Sequence, residues 1–153
     1  MFEGRLLDIH IADAARAPMR QLTDARLVAG HGIEGDRYAT GTGTYSKIPD
    51  VREVTLIEVE SLEALLRDHQ VDLTPSLHRR NLTTRAVPLN HLVGRRFAVG
   101  EVVLEGGRLN WPCRYLDMIT GLEVCDRLTN RSGLNCRIVT GGTIRPGDVI
   151  RPL

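Results

Sequence analysis

A cysteine in a stiff turn is the first feature of this sequence that could carry out chemistry. Cys113 lies in the stretch Leu109-Asn110-Trp111-Pro112-Cys113-Arg114-Tyr115, after the only tryptophan of the chain. Proline fixes φ and removes a backbone donor, so we expect a turn here and not the centre of a strand. A thiol beside the Arg114 guanidinium is favoured as a thiolate, which acts as a nucleophile or soft metal ligand. The alternative is a cysteine that packs as a small apolar side chain.

A second stretch combines positive charge with hydrogen-bonding side chains. Arg79, Arg80 and Asn81 are followed closely by Thr83 and Thr84. Guanidinium groups, an amide and hydroxyls are the groups that bind phosphate oxygens. The stretch is therefore a candidate oxyanion site, and the alternative is a solvated strand end.

A glycine-rich stretch from residue 30 to residue 44 is the third candidate. It shows neither helical nor strand periodicity, and long loops of this kind in compact domains are functional or disordered. Asp36 and Arg37 follow Gly35 within it. Asp36 either caps a turn or lines a ligand pocket together with Arg37. The stretch matches neither the P-loop nor the dinucleotide-binding glycine pattern.

The elements that must position these residues are mostly strands. Alternating apolar residues predict short strands at 7–11, 25–28, 53–57, 97–99, 102–104, 137–139 and 148–151. An apolar stripe predicts a helix from Glu58 to Gln70, and a weaker pattern predicts a second from Asp117 to Leu128, broken by Gly121. These elements predict a mainly β fold, a closed or nearly closed β-barrel with one or two short-to-medium helices, in a single domain over 1–153.

Composition argues against several classes of protein. The 153 residues carry a net charge of +1 and few aromatic rings, whereas nucleic-acid binding needs a basic excess or stacking surface. No apolar run approaches the length of about 18 residues that a membrane span needs. The first residues lack a signal-peptide pattern, and the three cysteines form no C-x-x-C motif. We therefore expect a cytoplasmic protein with reduced thiols and without a structural zinc site.

Several short motifs occur in an order that is typical of one family. They are Gly32-Ile33-Glu34-Gly35-Asp36-Arg37, Val54-Thr55-Leu56-Ile57, Arg79-Arg80-Asn81-Leu82, Pro112-Cys113, Arg131-Ser132-Gly133 and Gly141-Gly142-x-Ile144-x-Pro146-Gly147-Asp148. With these motifs the chain resembles a stand-alone MOSC domain, the module named for the C-terminal part of molybdenum cofactor sulfurases. The resemblance covers nearly the whole chain.

The resemblance implies a strand-rich barrel that binds a molybdenum-pterin cofactor or handles sulfur destined for it. Cys113 would be the catalytic thiolate that ligates molybdenum or carries sulfur. The residues implied to surround the cofactor are Asp36, Arg37, Arg79, Arg80, Asn81 and Thr84. The chain lacks the desulfurase domain of the sulfurases and any iron–sulfur motif, so sulfur or electrons would come from a separate donor protein.

Three hypotheses about function remain open at this point. The first is a molybdenum-dependent oxidoreductase that reduces small N-hydroxylated substrates with an external electron donor. The second is a sulfur carrier with a persulfide on Cys113, or a cofactor-binding module without turnover. The third is a barrel whose arginines bind some other anion.

Overall fold

The computed structural model describes residues 1–153, and eleven strands make up most of its regular structure. The strands are β1 (Gly4–Ile11), β2 (Arg20–Leu22), β3 (Ala25–Val28), β4 (Gly32–Ile33), β5 (Val54–Glu58), β6 (Leu82–Arg85), β7 (Arg96–Val99), β8 (Val102–Leu109), β9 (Leu134–Thr140), β10 (Gly142–Ile144) and β11 (Val149–Pro152). The helices are α1 (Arg37–Thr40), α2 (Val59–His69) and α3 (Arg114–Thr120). Two short 3-10 turns, Leu89–Leu92 and Asp126–Leu128, complete the elements.

Seven of the strands close into a barrel. Their order is β11-β7-β8-β9-β5-β6-β1, and the pairing of β1 with β11 closes the ring. Closure pairs Gly4 with Ile150 and Arg5 with Val149. The other end of β1 pairs with β2, while β10, β3 and β4 form a small separate sheet. The prediction of a mainly β fold with a closed barrel is confirmed.

Two apolar clusters hold the fold together. The larger one fills the barrel, and Phe97 and Leu6 are among its fully buried members. The smaller cluster lies between the wall strand β5 and the helices, and it joins Ile57 to Leu65 of α2 and Leu116 of α3. The first four residues of β5 are all buried, as expected for a strand that is covered on both faces. This second cluster therefore fixes α3 against the barrel wall.

The helix bounds follow from local capping. Residue 121 is a glycine in the left-handed conformation, with φ 70°, and its N–H donates to the Asp117 carbonyl at 2.9 Å. The second predicted helix therefore ends at Thr120 instead of continuing to Leu128. The Asp117 carboxylate accepts hydrogen bonds from the N–H groups of Val124 and Cys125, which stabilises the reversal of the chain. None of the helices combines the length and apolarity needed to cross a bilayer.

Four segments differ from the sequence-based expectation, since β2 and β10 were not among the predicted strands, and the other two differ as follows. The stretch from residue 30 to residue 44 contains β4 and α1, where the sequence predicted no regular structure. The strand β6, Leu82–Arg85, was not predicted. It pairs in parallel with β5, and α2 provides the crossover between the two strands. Its polar residues Thr83 and Thr84 are fully buried, so the pattern of apolar alternation is absent.

Candidate functional site

A cavity of about 310 Å³ opens at the end of the barrel where β8 ends and β5, β6 and β9 begin. Its volume falls in the range of small-molecule sites. One side is formed by residues 43–52, a segment between α1 and β5 that we call the strap. The opposite side is formed by the end of β8, residues 110–113 and the first turn of α3. The residues lining this cavity include Cys113, four aromatic side chains and five arginines.

Cys113 is placed in the cavity by the elements on either side of it. The preceding strand, β8, ends at Leu109, and the N–H of Asn110 donates to the Gly133 carbonyl at 2.7 Å. Cys113 then occupies the N-cap position of α3, which is anchored by Leu116 in the second apolar cluster. The half-buried side chain of Cys113 lines the cavity. As expected, Cys113 does not lie in a strand: residues 110–113 form an irregular connection between β8 and α3.

The Cys113 sulfur has one hydrogen-bond partner, the hydroxyl of Tyr45 on the strap, at 3.4 Å. The Tyr45 ring packs edge-on against Tyr115, and the Arg52 guanidinium lies 5.8 Å from its centroid. Arg52 also donates to the Tyr45 carbonyl. The hydrogen bond with Cys113, followed by burial, raises the pKa of Tyr45 to about 12. The phenol is therefore protonated at neutral pH.

The cavity carries an excess of positive charge. Its arginines are Arg37, Arg52, Arg79, Arg80 and Arg108. The only carboxylate in the lining is Asp50, which pairs with Arg108 and, at 3.1 Å, with Arg52. Hydrogen bonding from Arg108 lowers the pKa of Asp50 to about 2, so this carboxylate is ionised at neutral pH. Five cations against one anion favour an anionic ligand.

Arg80 is held in place by three hydrogen bonds to the protein. It is 9% exposed, and its guanidinium donates from Nε to the Ser132 carbonyl at 3.0 Å and from Nη2 to the Ser132 hydroxyl at 2.7 Å. A third bond joins Nη1 to the His78 carbonyl at 3.0 Å. Burial lowers the pKa of Arg80 to about 10, so the group keeps its charge at neutral pH. Arg80 therefore offers a fixed positive charge to the cavity.

Arg79 is held in a backbone conformation that L-residues rarely adopt, with φ 65°. Its guanidinium donates to the Ala17 carbonyl, and its buried Nε has no hydrogen-bond partner. Arg37 supports it by donating from Nη2 to the Arg79 carbonyl at 3.1 Å. Burial is the main cause of the lowered pKa of Arg79, and the charge of Arg37 adds to it.

Three other predicted site residues, Asp36, Asn81 and Thr84, do not line the cavity. Asp36 is fully buried and accepts hydrogen bonds from Arg37 at 3.0 Å and from the N–H groups of residues 12 and 38. The Asn81 amide oxygen accepts from the N–H of Thr55 at 3.1 Å. The Thr84 hydroxyl donates to the carbonyl of residue 57 at 3.3 Å. These polar groups form hydrogen bonds with other residues of the same chain, whereas the expectation was that they surround a cofactor.

The position of Arg114 also differs from the expectation. Its guanidinium is exposed and pairs with Asp117 at 3.3 Å and Asp126 at 3.4 Å. It is not part of the cavity lining, and its charge is paired with these two carboxylates instead. The cations that share the cavity with Cys113 come instead from distant positions of the sequence.

Several cavity residues were not singled out from the sequence. Tyr45 and Arg52 lie on the strap, and Arg108 lies at the end of β8, where no local motif marks them. Asn110 and Tyr115 lie inside the stretch around Cys113, but their residue types gave no separate signal. Aromatic residues that flank a glycine-rich, non-periodic segment are the one pattern in the sequence that points to Tyr45.

The lining fits an anionic ligand that also presents a metal to a thiolate. The buried Arg79 Nε and the buried Tyr115 hydroxyl both lack a protein partner, and both residues line the cavity. Unpaired buried donors are costly, and the oxygens of a bound phosphate would satisfy them. No group of three or more His, Cys, Asp or Glu side chains is arranged to hold a metal. The Cys113 sulfur suits a soft metal whose other ligands belong to a bound pterin.

Solved structures of three bacterial proteins share this fold. The YuaD protein from Bacillus subtilis superimposes with a TM-score of 0.81 at 17% sequence identity, over 98% of this chain and 97% of the other. YiiM from Geobacillus stearothermophilus gives a TM-score of 0.76 at 12% identity, over 98% and 75% of the two chains. YiiM from Escherichia coli gives a TM-score of 0.70 at 16% identity, over 97% and 69%. At these identities the likeness shows the fold alone.

Sequence comparison identifies the family. A comparison with curated proteins finds no significant match. The family model described as MOSC domain matches residues 27–151, which is most of the 153-residue chain. This match confirms the resemblance that the ordered motifs indicated. The chain therefore belongs to the MOSC domain family.

Proposed function

We propose that this protein binds a molybdenum-pterin cofactor in the cavity and reduces small N-hydroxylated compounds with electrons from a separate donor. One observation carries the proposal: the Cys113 sulfur and five arginine side chains line the same cavity. A soft thiolate suits molybdenum, and guanidinium groups suit the phosphate of the cofactor. Membership of the MOSC family is compatible with this cofactor.

Different residues of the cavity would contact different parts of the cofactor. Arg79 and Arg80 would hold the anionic end of the cofactor, helped by the unpaired hydroxyl of Tyr115. Cys113 would supply the single protein ligand to the metal. Tyr45 would cover the sulfur on the strap side and exclude water from that face. The bound molybdenum centre supplies two-electron redox chemistry.

The reaction balances with two electrons and two protons. Reduction of an N-hydroxylated compound breaks the N–O bond, leaves an N–H group and releases the oxygen as water. The electrons would come from a separate reductase or redox protein. The protonated phenol of Tyr45 lies inside the cavity, where it would donate a hydrogen bond to the departing oxygen or to the sulfur. Asp36, Asn81 and Thr84 would act behind the lining, by holding Arg37 and the strands in place.

Metal and pterin analysis of freshly purified protein tests the proposal. We expect bound molybdenum and the fluorescence of oxidised pterin, together with reduction of a hydroxylamine by a chemical electron donor. Cys113→Ser should abolish the activity and leave the melting temperature within a few degrees. Cys125→Ser, which changes a cysteine outside the cavity lining, is the matched control and should keep the activity. Full activity of Cys113→Ser, or absence of molybdenum after expression with excess molybdate, would contradict the proposal.

A sulfur-carrier role is the second candidate. The half-buried Cys113 lines an open cavity and has a hydroxyl partner within 3.4 Å, an arrangement that also suits a terminal persulfide. A persulfide donor would transfer one sulfur atom to the thiolate and be released as its own thiol. Intact-mass measurement distinguishes the roles, because a carrier gains the mass of one sulfur atom that Cys113→Ser does not gain. A carrier would also show no reductase activity with added electron donors.

A further inference from the structure

We propose that Ser132 is a positioning residue that joins the Arg80 guanidinium to the chain segment bearing Cys113. The proposal rests on the proposed function, since it concerns the spacing between a bound anion and the sulfur. Ser132 itself is not part of the cavity lining. It would act through Arg80 and Cys113, which do line the cavity.

The first part of the connection consists of hydrogen bonds between Ser132 and Arg80. Ser132 is 1% exposed and accepts two hydrogen bonds from the same guanidinium, one at its carbonyl and one at its hydroxyl, at 3.0 and 2.7 Å. Two parallel bonds to a planar fork fix its orientation. A guanidinium has five N–H donors, and the bond to the His78 carbonyl uses a third, so two donors remain for a ligand.

The second part of the connection consists of hydrogen bonds between residues 132–133 and Asn110. The Ser132 hydroxyl donates to the Asn110 side-chain oxygen at 3.3 Å, and the Asn110 N–H donates to the Gly133 carbonyl at 2.7 Å. The Asn110 amide nitrogen donates in turn to the Asn135 side chain at 2.8 Å. Asn110 precedes Cys113 by three positions, and the proline between them restricts the backbone. The sulfur is therefore connected to Ser132 through a short, stiff segment.

The backbone next to Ser132 packs closely against the barrel wall. The next residue, Gly133, has φ 108°, and a Cβ there would lie 2.0 Å from the Leu56 carbonyl oxygen. This close approach presses residues 132–133 against β5 in the barrel wall. Ser132 thus connects both the arginine and the sulfur-bearing segment to the same part of the barrel wall.

The hydroxyl of Ser132 makes both connections with a single atom. It accepts a hydrogen bond from Arg80 and donates one to Asn110 at the same time. Alanine makes neither bond, whereas threonine keeps the hydroxyl. This difference separates the positioning role from a general effect on stability.

Pyrophosphate binding, measured by calorimetry on the purified full-length protein, tests the role. We expect Ser132→Ala to weaken the affinity by about fivefold to tenfold, and Ser132→Thr to restore it to within about twofold of the wild type. The control is Ser61→Ala, because Ser61 is 7% exposed and lies on α2, away from the cavity. The control should leave the affinity unchanged.

A double-mutant cycle with Arg80→Met shows whether Ser132 acts through the arginine. If it does, Ser132→Ala has no further effect on the affinity once Arg80 is replaced. Equal losses in both backgrounds would mean a merely structural serine and would overturn the proposal. If Arg80→Met does not fold, the comparison of Ser132→Ala with Ser132→Thr decides, since equal affinities in those two variants overturn it.

The same measurement separates this proposal from the proposed function. Wild-type protein that binds pyrophosphate, together with Ser132→Ala that binds it equally well, removes the role of Ser132 and leaves the proposed anion site intact. Wild-type protein that binds no pyrophosphate removes the anion site and the positioning role together.

Discussion

The Tyr45 hydroxyl lies 3.4 Å from the Cys113 sulfur, although 68 positions separate the two residues in the sequence. This contact places the strap beside the sulfur of Cys113. Arg52 donates to the Tyr45 carbonyl and, at 2.8 Å, to the Ile48 carbonyl, so the strap is tied into a compact turn. The hydrogen bonds of Arg52 therefore hold the strap, and with it the Tyr45 side chain, next to the sulfur.

The first prediction concerns access to Cys113. Tyr45→Phe and Tyr45→Ala both remove the hydroxyl, but only the alanine variant removes the ring. We expect a bulky maleimide to label Cys113 at least about threefold faster in Tyr45→Ala than in Tyr45→Phe at the same pH, because the ring shields the sulfur. Mass spectrometry of labelled peptides gives the rates. Equal rates in the two variants would show that the ring does not cover the sulfur.

Local patterns predicted much of the fold. The apolar stripe of α2 and the alternation around Ala25–Val28 correspond to elements of the structure. The strand β6 was missed because Thr83 and Thr84 satisfy their hydroxyls inside the protein, which no alternation rule anticipates. Buried polar strands depend on partners that are distant in sequence, here His78 and the carbonyl of Ile57.

The candidate site was predictable only in part. The cysteine and the paired arginines were found from residue type and spacing, and the structure places Cys113, Arg37, Arg79 and Arg80 in one cavity. The sequence did not indicate that Arg52 and Arg108 join them, because each comes from a different element. The position of Arg114 was misleading for the same reason: sequence adjacency to Cys113 says nothing about which way a helix directs the next side chain.

The second prediction concerns the left-handed backbone at Arg79. A non-glycine residue in this conformation costs about 1–2 kcal/mol, whereas glycine adds about 0.5–1 kcal/mol of entropy loss. We therefore expect Arg79→Gly to be slightly more stable than Arg79→Ala in urea unfolding. In α2 the order should reverse, with Arg67→Ala about 1 kcal/mol more stable than Arg67→Gly. Both Arg79 variants should bind pyrophosphate more weakly than the wild type. If the alanine variant is more stable than the glycine variant at position 79 as well as at position 67, the backbone strain at Arg79 is contradicted.

The third prediction concerns the close packing at Gly133. A Cβ at this residue would meet the Leu56 carbonyl oxygen at 2.0 Å, and its φ is 108°. We expect Gly133→Ala to lower the free energy of unfolding by more than about 3 kcal/mol or to prevent folding. Gly121→Ala is the matched control, since Gly121 also has a positive φ but has nothing within 4 Å. The control should lose only about 1 kcal/mol in the same urea titration.

The fourth prediction concerns the pH dependence of stability. Burial holds the pKa of His78 well below the ordinary value of 6.5, so its ring is neutral in the folded protein. Its Nδ1 accepts from the Arg80 N–H at 2.9 Å, and Nε2 is paired with the Thr83 hydroxyl. The unfolded chain takes up a proton at His78 below pH 6.5 and the folded protein does not. The stability linked to this residue is therefore complete above pH 6.5 and is lost as the pH falls below it.

Urea unfolding between pH 5 and pH 8 measures this dependence. We expect His78→Asn to be less stable than wild type by about 2 kcal/mol at pH 8, because the pairing with Thr83 is lost. The decline of its stability toward pH 5 should be shallower than in the wild type. His69→Gln removes an exposed histidine at the end of α2 and controls for the loss of a histidine as such. An unchanged slope in His78→Asn would contradict the assignment.

The fifth prediction uses Trp111, the single tryptophan, as a reporter of charge at the cavity mouth. This residue is 71% exposed, and the Arg108 guanidinium lies 4.5 Å from the centroid of its ring. Asp50 offsets the charge of Arg108 in the wild type, so Asp50→Asn should increase fluorescence quenching by iodide about twofold, and Arg108→Gln should decrease it. Quenching by neutral acrylamide should change little in Asp50→Asn, since this substitution leaves the Arg108 guanidinium over the ring in place. Parallel changes with both quenchers would mean that the ring has moved, and would contradict a fixed indole beside a charge set by Asp50.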